Sequence, residues 1–216
     1  MELKCSLCRV QVCREAPGGR PPPAFCPATG EGDALTGARQ IYHSDPETQR
    51  LALAAAQVEA AGYCQWPRVQ EVIEFARRIG AARLGIATCI GLIREAGLLQ
   101  DILEANGFEV YSVCCKVGST PKEEIGVADH EKIHPGQFEA LCNPIGQAQL
   151  LNAAGSELNI VVGLCVGHDS LFFRHSAAPV TVLVAKDRVT GHNPAAALYT
   201  SHSYYRRLRD KPAKQP

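Results

Sequence analysis

The sequence has no surplus of charge: Lys+Arg and Asp+Glu each number 22, for a net charge of zero. Without a concentrated basic surface, a general affinity for nucleic acid or for acidic membranes is not expected. The one local exception is the end of the chain, where Arg206, Arg207, Arg209, Lys211 and Lys214 gather, and chain ends of that kind are usually solvated and frayed. Long apolar runs are missing too. Stretches such as Asn159 to Gly167 fall well short of the ~20 residues that cross a bilayer as a helix. Met1 to Val12 already holds charges and two cysteines, where a secretory signal would need an unbroken apolar stretch. A cytoplasmic protein with no membrane partner is expected. Two catalytic templates are absent as well. No G-x-G-x-x-G or Walker-type loop follows an apolar segment, which leaves a bound dinucleotide or nucleoside triphosphate without support. A phosphatase-type Cys-x5-Arg loop is not met either, since four residues separate Cys89 from Arg94 and no arginine follows Cys165 at the right distance.

What the chain does have is cysteine, ten in 216 residues. Thiols in a reducing cytosol are not expected to pair as disulfides, so metal ligation or thiol chemistry is the better explanation. The length suits one domain with a small appendage, and 46% hydrophobic residues can build a substantial core.

Residues 1–44 differ from the rest. They carry four of the cysteines and the Gly/Pro-rich connection Pro17-Gly18-Gly19-Arg20-Pro21-Pro22-Pro23, with no helical or alternating apolar pattern. From Asp45 the pattern turns helical. Asp45-Pro46-Glu47 reads as an N-cap, a first-turn proline and a favourable acidic residue. Leu51, Ala54, Ala55 and Val58 recur at helical spacing up to Gly62, and a second helix runs from Pro67 to Gly80. Apolar strands then alternate with helices. Strands are expected at Arg83–Cys89, Phe108–Cys115, Asn159–Cys165 and Pro179–Lys186, with helices at Leu92–Ala105, Ile145–Ala154, Asp169–His175 and after Asn193-Pro194. That rhythm implies an α/β fold: a doubly wound, Rossmann-like or flavodoxin-like, mostly parallel sheet of about four strands. The expected domains are a cysteine-rich metal-binding segment (1–44), an α/β domain (45–205) and a basic flexible tail (206–216). The connection from Lys116 to Leu141 breaks the rhythm, and its length fits either an active-site lid or disorder.

The amino-terminal cysteines are spaced Cys5-x2-Cys8-x4-Cys13-x12-Cys26-Pro27. Four thiolates in a short, hydrophobe-poor stretch can complete a tetrahedral site, and the metal then supplies folding energy the segment lacks. Zinc suits such a set and so does a cubane 4Fe–4S iron–sulfur cluster; the Cys-Pro ending is shared with ferredoxin-type ligation, at a different spacing. Cys5-x2-Cys8 does not read as a thioredoxin-like pair, since no strand precedes it and no helix follows.

The remaining cysteines fall at element ends. Cys89 ends the first strand, Cys114 and Cys115 the second and Cys165 the third, while Cys142 and Cys64 precede helix starts. In open parallel sheets the ligand crevice lies outside the carboxyl ends of the strands, and helix N-termini stabilise thiolates and anionic clusters. Taken singly, each of these cysteines is what a small buried hydrophobe would be. Three ending successive strands point instead to a shared site, and strand alternation lets one of Cys114 and Cys115 reach it. Around Cys165, the run Gly163-Leu164-Cys165-Val166-Gly167-His168-Asp169-Ser170 is the densest chemical constellation. His168 can transfer protons there or sit on the surface, and Asp169 can orient it or cap a helix. Gly191-His192-Asn193-Pro194 reads as a turn and cap.

The segments GYCQWPRVQEVIEFARRIG, GIATCIGL, NGFEVYSVCCKVGSTPKEEIG, PGQFEALCNPIGQAQLLN and NIVVGLCVGHDSLFFRHSAAPVTVLVAKDRVTGHNPAAALYTSHSYY resemble domain-of-unknown-function family eighteen forty-seven, a cysteine-rich family commonly labelled metal-binding. The likeness runs from the first cysteines to about Tyr205. It implies metal binding at Cys5, Cys8, Cys13 and Cys26 and a core set of Cys64, Cys89, Cys115, Cys142 and Cys165, with His168 and Asp169 beside the last. Cys115 fits the family pattern better than Cys114. No reaction is implied.

Three functions are consistent with these residues. The first is an iron–sulfur protein whose core cysteines hold a second centre for redox or sulfur-transfer chemistry on a small-molecule substrate or with a redox partner. The second is a zinc-binding structural, metal-sensing or redox-sensing protein without catalysis. The third is a cysteine-nucleophile enzyme using Cys165 and His168, with Asp169 beside them.

Overall fold

Residues 3–16, 18–29 and 32–210 are described by a computed structural model of the chain; Lys211 and Lys214 of the basic cluster lie outside them. The chain divides into two compact units, residues 1–61 and 62–216. The division falls at the end of a helix, later than the composition change at residue 44 suggests.

In the first unit, three short 3-10 turns (Cys5–Leu7, Val12–Arg14, Pro27–Thr29) bury no residue. The loop between the second and third is pinned by Arg20, which donates to the Val10 carbonyl (3.2 Å) and pairs with Glu15 (3.0 Å from Nε). Helices α1 (Gly32–Ser44) and α2 (Pro46–Gly62) follow. Helix α1 corrects the expectation that nothing before residue 45 is helical. Leu35, Ala38, Ile41 and Tyr42 recur along it at helical spacing, yet its described side chains are almost all exposed. Helix α2 starts as its sequence predicts: the Asp45 carboxylate accepts the backbone N–H of Glu47 (3.2 Å) and Thr48 (3.4 Å), with Pro46 at the first helical position.

In the second unit, helix α3 (Arg68–Arg78) leads into strand β1 (Arg83–Thr88), and helix α4 (Ile93–Ala105) into β2 (Glu109–Cys114). Then come α5 (Pro144–Ala153), β3 (Leu158–Val162), α6 (His168–His175), β4 (Val180–Val184) and α7 (Ala195–Tyr199). The four strands form one all-parallel sheet in the order β2-β1-β3-β4. This is the doubly wound α/β arrangement the alternation implies, with β1 and β3 buried at the centre. The sheet's faces divide by parity. Ala87 and Val161 join Ala148 and Leu151 of α5 and Phe172 of α6 in one cluster, while the alternate residues Leu84, Ile86 and Ile160 are buried facing the other way.

The amino ends of the strands are closed by a polar lock. Asn159, fully buried, accepts from Ser156 Oγ and donates to Ser176 Oγ (2.8 Å each), and it fits because its register partner is Gly85, where a Cβ would stand 2.0 Å from Asn159 Oδ1. The carboxyl ends are left for chemistry. The chain reaches β2 on one side of β1 and β3 on the other, which places the topological switch point outside β1 and β3. Among the described residues, no helix is long and apolar enough to cross a membrane.

Candidate functional site

The strands end one to three residues earlier than their apolar runs, so Cys89, Cys115 and Cys165 stand just beyond the sheet rather than inside it. Each is fixed by backbone. The Cys89 N–H donates to the Val162 carbonyl (3.2 Å), and the Cys115 N–H to the Thr88 carbonyl (2.8 Å). The Cys115 carbonyl in turn accepts the Asn143 N–H (2.7 Å), which draws the start of α5, and with it Cys142, to the end of β2. Asn143 caps α5 by accepting from the Gly146 N–H (2.8 Å), and buried Gln147 ties the carbonyls of Thr88 (3.1 Å) and Val113 (2.6 Å) from the first turn of the same helix. Three strand ends and one helix start are thereby held as a single rim.

The sulfurs on that rim interact. Cys115 Sγ accepts the Ile90 N–H at 3.3 Å, and it is coupled in titration to neighbouring Cys142. Cys142 is held down at about 5, first by the Cys115 thiol, then against the opposing cost of burial by Lys116 and, through space, by His168. Cys115 moves the opposite way, pushed up by Cys142 and by its burial. Of the two, Cys142 is the more acidic thiol. Arg188 donates from Nη2 to Cys165 Sγ at 3.1 Å, and its charge is also felt by Cys89 and Cys142. Four sulfurs, those of Cys89, Cys115, Cys142 and Cys165, therefore share one electrostatic neighbourhood.

Cys64 is not part of it. It is exposed, in a left-handed turn (φ 56°) before α3, and α3 is fastened by Arg68 Nε to the Val182 carbonyl (2.7 Å) rather than following a strand end. Cys114 pairs with Thr88 in the register of β2 and leaves the rim to Cys115. His168, at the first residue of α6, lines the cleft. Asp169 does not orient it: its carboxylate accepts the backbone N–H of Gly167 (2.9 Å) and Ser170 (2.8 Å), and so serves the helix start. His192 is likewise structural, its Nδ1 accepting the Asp187 N–H at 3.1 Å.

The Lys116–Leu141 connection is ordered and forms the opposite wall. Pro121 and Ala140 make an antiparallel bridge, Lys122 pairs with Glu139 across it, and Lys116 Nζ reaches the Ala140 carbonyl. Buried Lys132 pairs with Glu123 and Asp129 (2.7 Å each) and donates to the Gln137 carbonyl (2.6 Å). Between this wall and the rim lies a cleft of about 520 Å³, lined by Cys89, Cys142, Cys165, His168 and Arg188 on one side and by Lys122, Ile125, Ile133 and Leu141 on the other.

Arg188, Lys116 and the lid isoleucines have no counterpart in the cysteine-centred reading.

In the first unit, Cys5 and Cys13 are exposed and Cys8 and Cys26 half-buried. The Gln11 N–H donates to Cys8 Sγ (3.4 Å) from a left-handed residue (φ 48°), so the backbone after Cys8 already turns toward its sulfur. Among the described residues, no three His, Cys, Asp or Glu side chains stand close enough to hold a metal ion. In both places the donors suit a soft metal by type, and closing around one requires the side chains to draw together.

A family model described as "Protein of unknown function (DUF1847)" matches residues 26–183. That match begins at Cys26 and takes in the whole rim except Arg188, leaving out Cys5, Cys8 and Cys13. The chain is also 41% identical over 211 residues to "Uncharacterized protein MJ0455" of Methanocaldococcus jannaschii, covering 97% of this chain and 100% of that one. No solved structure matches.

Proposed function

The chain belongs to the DUF1847 family, and from that premise we propose that it is a cysteine-ligated metal-binding protein of the iron–sulfur type, working in a reducing cytoplasm on a small-molecule substrate or redox partner. Cys5, Cys8, Cys13 and Cys26 hold one metal group, structural or electron-relaying. Cys89, Cys115, Cys142 and Cys165 hold a second that substrate can reach.

The observation that carries this reading is the convergence of four sulfurs at the switch point, each met by a donor or a cation. A thiolate-bound cluster is anionic, and its stability and potential depend on hydrogen bonds to sulfur and on nearby charge. The Ile90 N–H on Cys115, Arg188 on Cys165 and Lys116 beside Cys142 are groups of that kind. When bound, the group would supply an electron store or an open coordination position for a substrate sulfur or oxygen. The chain's own residues do the rest. Cys142 offers a thiolate without a separate base, His168 stands on the lining to hold or move a proton, and the Lys116–Leu141 wall restricts water.

Metal and acid-labile sulfide analysis of anaerobically purified protein tests the proposal, with wild type set against Cys165→Ser. Iron and sulfide in near-equal amounts, reduced but not abolished in Cys165→Ser, is the expected result. A colourless protein with stoichiometric zinc and no sulfide would overturn it and leave a zinc-knotted binding protein.

A further inference from the structure

The cleft has three kinds of surface, and each asks for a different part of one molecule. Its inner edge is sulfur: Cys89, Cys142 and Cys165. Beside that edge is Arg188, which commits Nη2 to Cys165 and has no other hydrogen bond among the described residues. Its remaining guanidinium donors form a ready fork for a carboxylate. Lys116 and Lys122 are differently placed, since both are engaged in holding the lid. Facing the sulfurs is an apolar wall whose side chains are open to water although the segment around them is tied down. Ile125 is 64% exposed and Ile133 75%, while Ile90, beside Cys89 on the rim itself, adds a third open apolar side chain at 52%. Apolar groups held in a concave site without cover are surface that a ligand removes from water. Glu131 is the single carboxylate on the lining and disfavours a second negative charge, so a monoanion fits better than a phosphate ester.

We propose that the cleft binds a small thiol carboxylate with an aliphatic body. The thiol faces the cysteine rim, the carboxylate takes the free edge of Arg188, and the carbon chain lies on Ile90, Ile125 and Ile133. This deepens the reading of the rim as a thiolate-ligated centre, because it names the ligand that would meet that centre, and it rests on that reading for the thiol end.

The test is isothermal titration of the anaerobically purified full chain with three matched probes: 6-mercaptohexanoate, 6-mercaptohexanol and hexanoate. The thiol carboxylate should bind at least about tenfold more tightly than either probe lacking one group. Arg188→Gln should erase its advantage over the thiol alcohol, and Arg188→Lys should restore part of it. Ile133→Ser, at a site too exposed to endanger folding, should weaken all three probes. Equal affinity for thiol carboxylate and thiol alcohol overturns the proposal, and so does indifference to Arg188→Gln or to Ile133→Ser. Metal and sulfide analysis of the same samples separates the two readings. Arg188-dependent binding in a protein without metal upholds the carboxylate and aliphatic parts of the assignment and removes the metal centre together with its claim on the thiol, whereas a metal-loaded rim that ignores the probes removes the ligand alone.

Discussion

Cys115 at the end of β2 holds the start of α5 beside it, its carbonyl accepting the Asn143 N–H at 2.7 Å, and its thiol lowers the titration of neighbouring Cys142. A thiolate is the reactive form of cysteine, which makes the arrangement measurable. In reduced, metal-free protein, alkylation of Cys142 by iodoacetamide, followed by peptide mass spectrometry, should rise with pH through about 5, against an ordinary value of 9.0. Cys115→Ala removes the largest cause of that depression, so the profile should move upward. An unshifted profile in the variant would show that Lys116 and His168 suffice.

Gly163 gives a sharper test of how the rim is built. It lies just past β3 with φ 66°, and a Cβ there would stand 2.0 Å from Leu92 Cδ1. Gly163→Ala combines a strained left-handed backbone with overpacking, a loss of about 2–5 kcal/mol. Gly97, an exposed glycine inside α4, is the opposite case: a Cβ added there would meet nothing within 4 Å, and Gly97→Ala should gain about 0.5–1 kcal/mol from helix propensity. Urea unfolding of the two variants should move in opposite directions.

The strand–helix order was legible because parallel strands buried on both faces leave short apolar runs, and the rim cysteines were legible because they punctuate those runs. Other features leave no such trace. The lid is ordered by Lys132 with Glu123 and Asp129, and by Lys122 with Glu139, and pairs like these follow no period. Arg188 reaches Cys165 only because a turn tied by Asp187 and His192 presents it. Cys64 looked equivalent to Cys142 in sequence, since both precede helices, but only the helix of Cys142 follows a strand's carboxyl end.

Lys132 is the keystone of the lid, its side chain 4% exposed between two carboxylates that are far more open. Lys132→Met keeps the length and loses both ion pairs and the bond to the Gln137 carbonyl. Hydrogen exchange should then speed by about tenfold or more across residues 121–140 while the sheet keeps its protection. Acid should act similarly. Glu123 and Asp129 are both held below their ordinary values of 4.5 and 3.8, chiefly by Lys132. Their contribution is complete above those values and is lost only as pH falls through the lowered ones.

The amino-terminal cysteines make the last prediction, and it concerns folding rather than reaction. The three turns that carry them bury nothing, and Leu3 and Leu7 are exposed, so apolar burial cannot hold this segment. The Arg20 contacts to Glu15 and Val10 are exposed, and solvent-exposed pairs contribute little. If metal supplies the missing energy, its removal by chelator under reducing conditions should make Arg9, Arg14 and Arg20 at least about tenfold more susceptible to trypsin. Residues 83–184, whose sheet is buried by its own helices, should stay resistant. Equal cleavage before and after chelation would mean that Cys5, Cys8, Cys13 and Cys26 do not fold around a metal, and the site at the sheet's carboxyl edge would then have to stand without them.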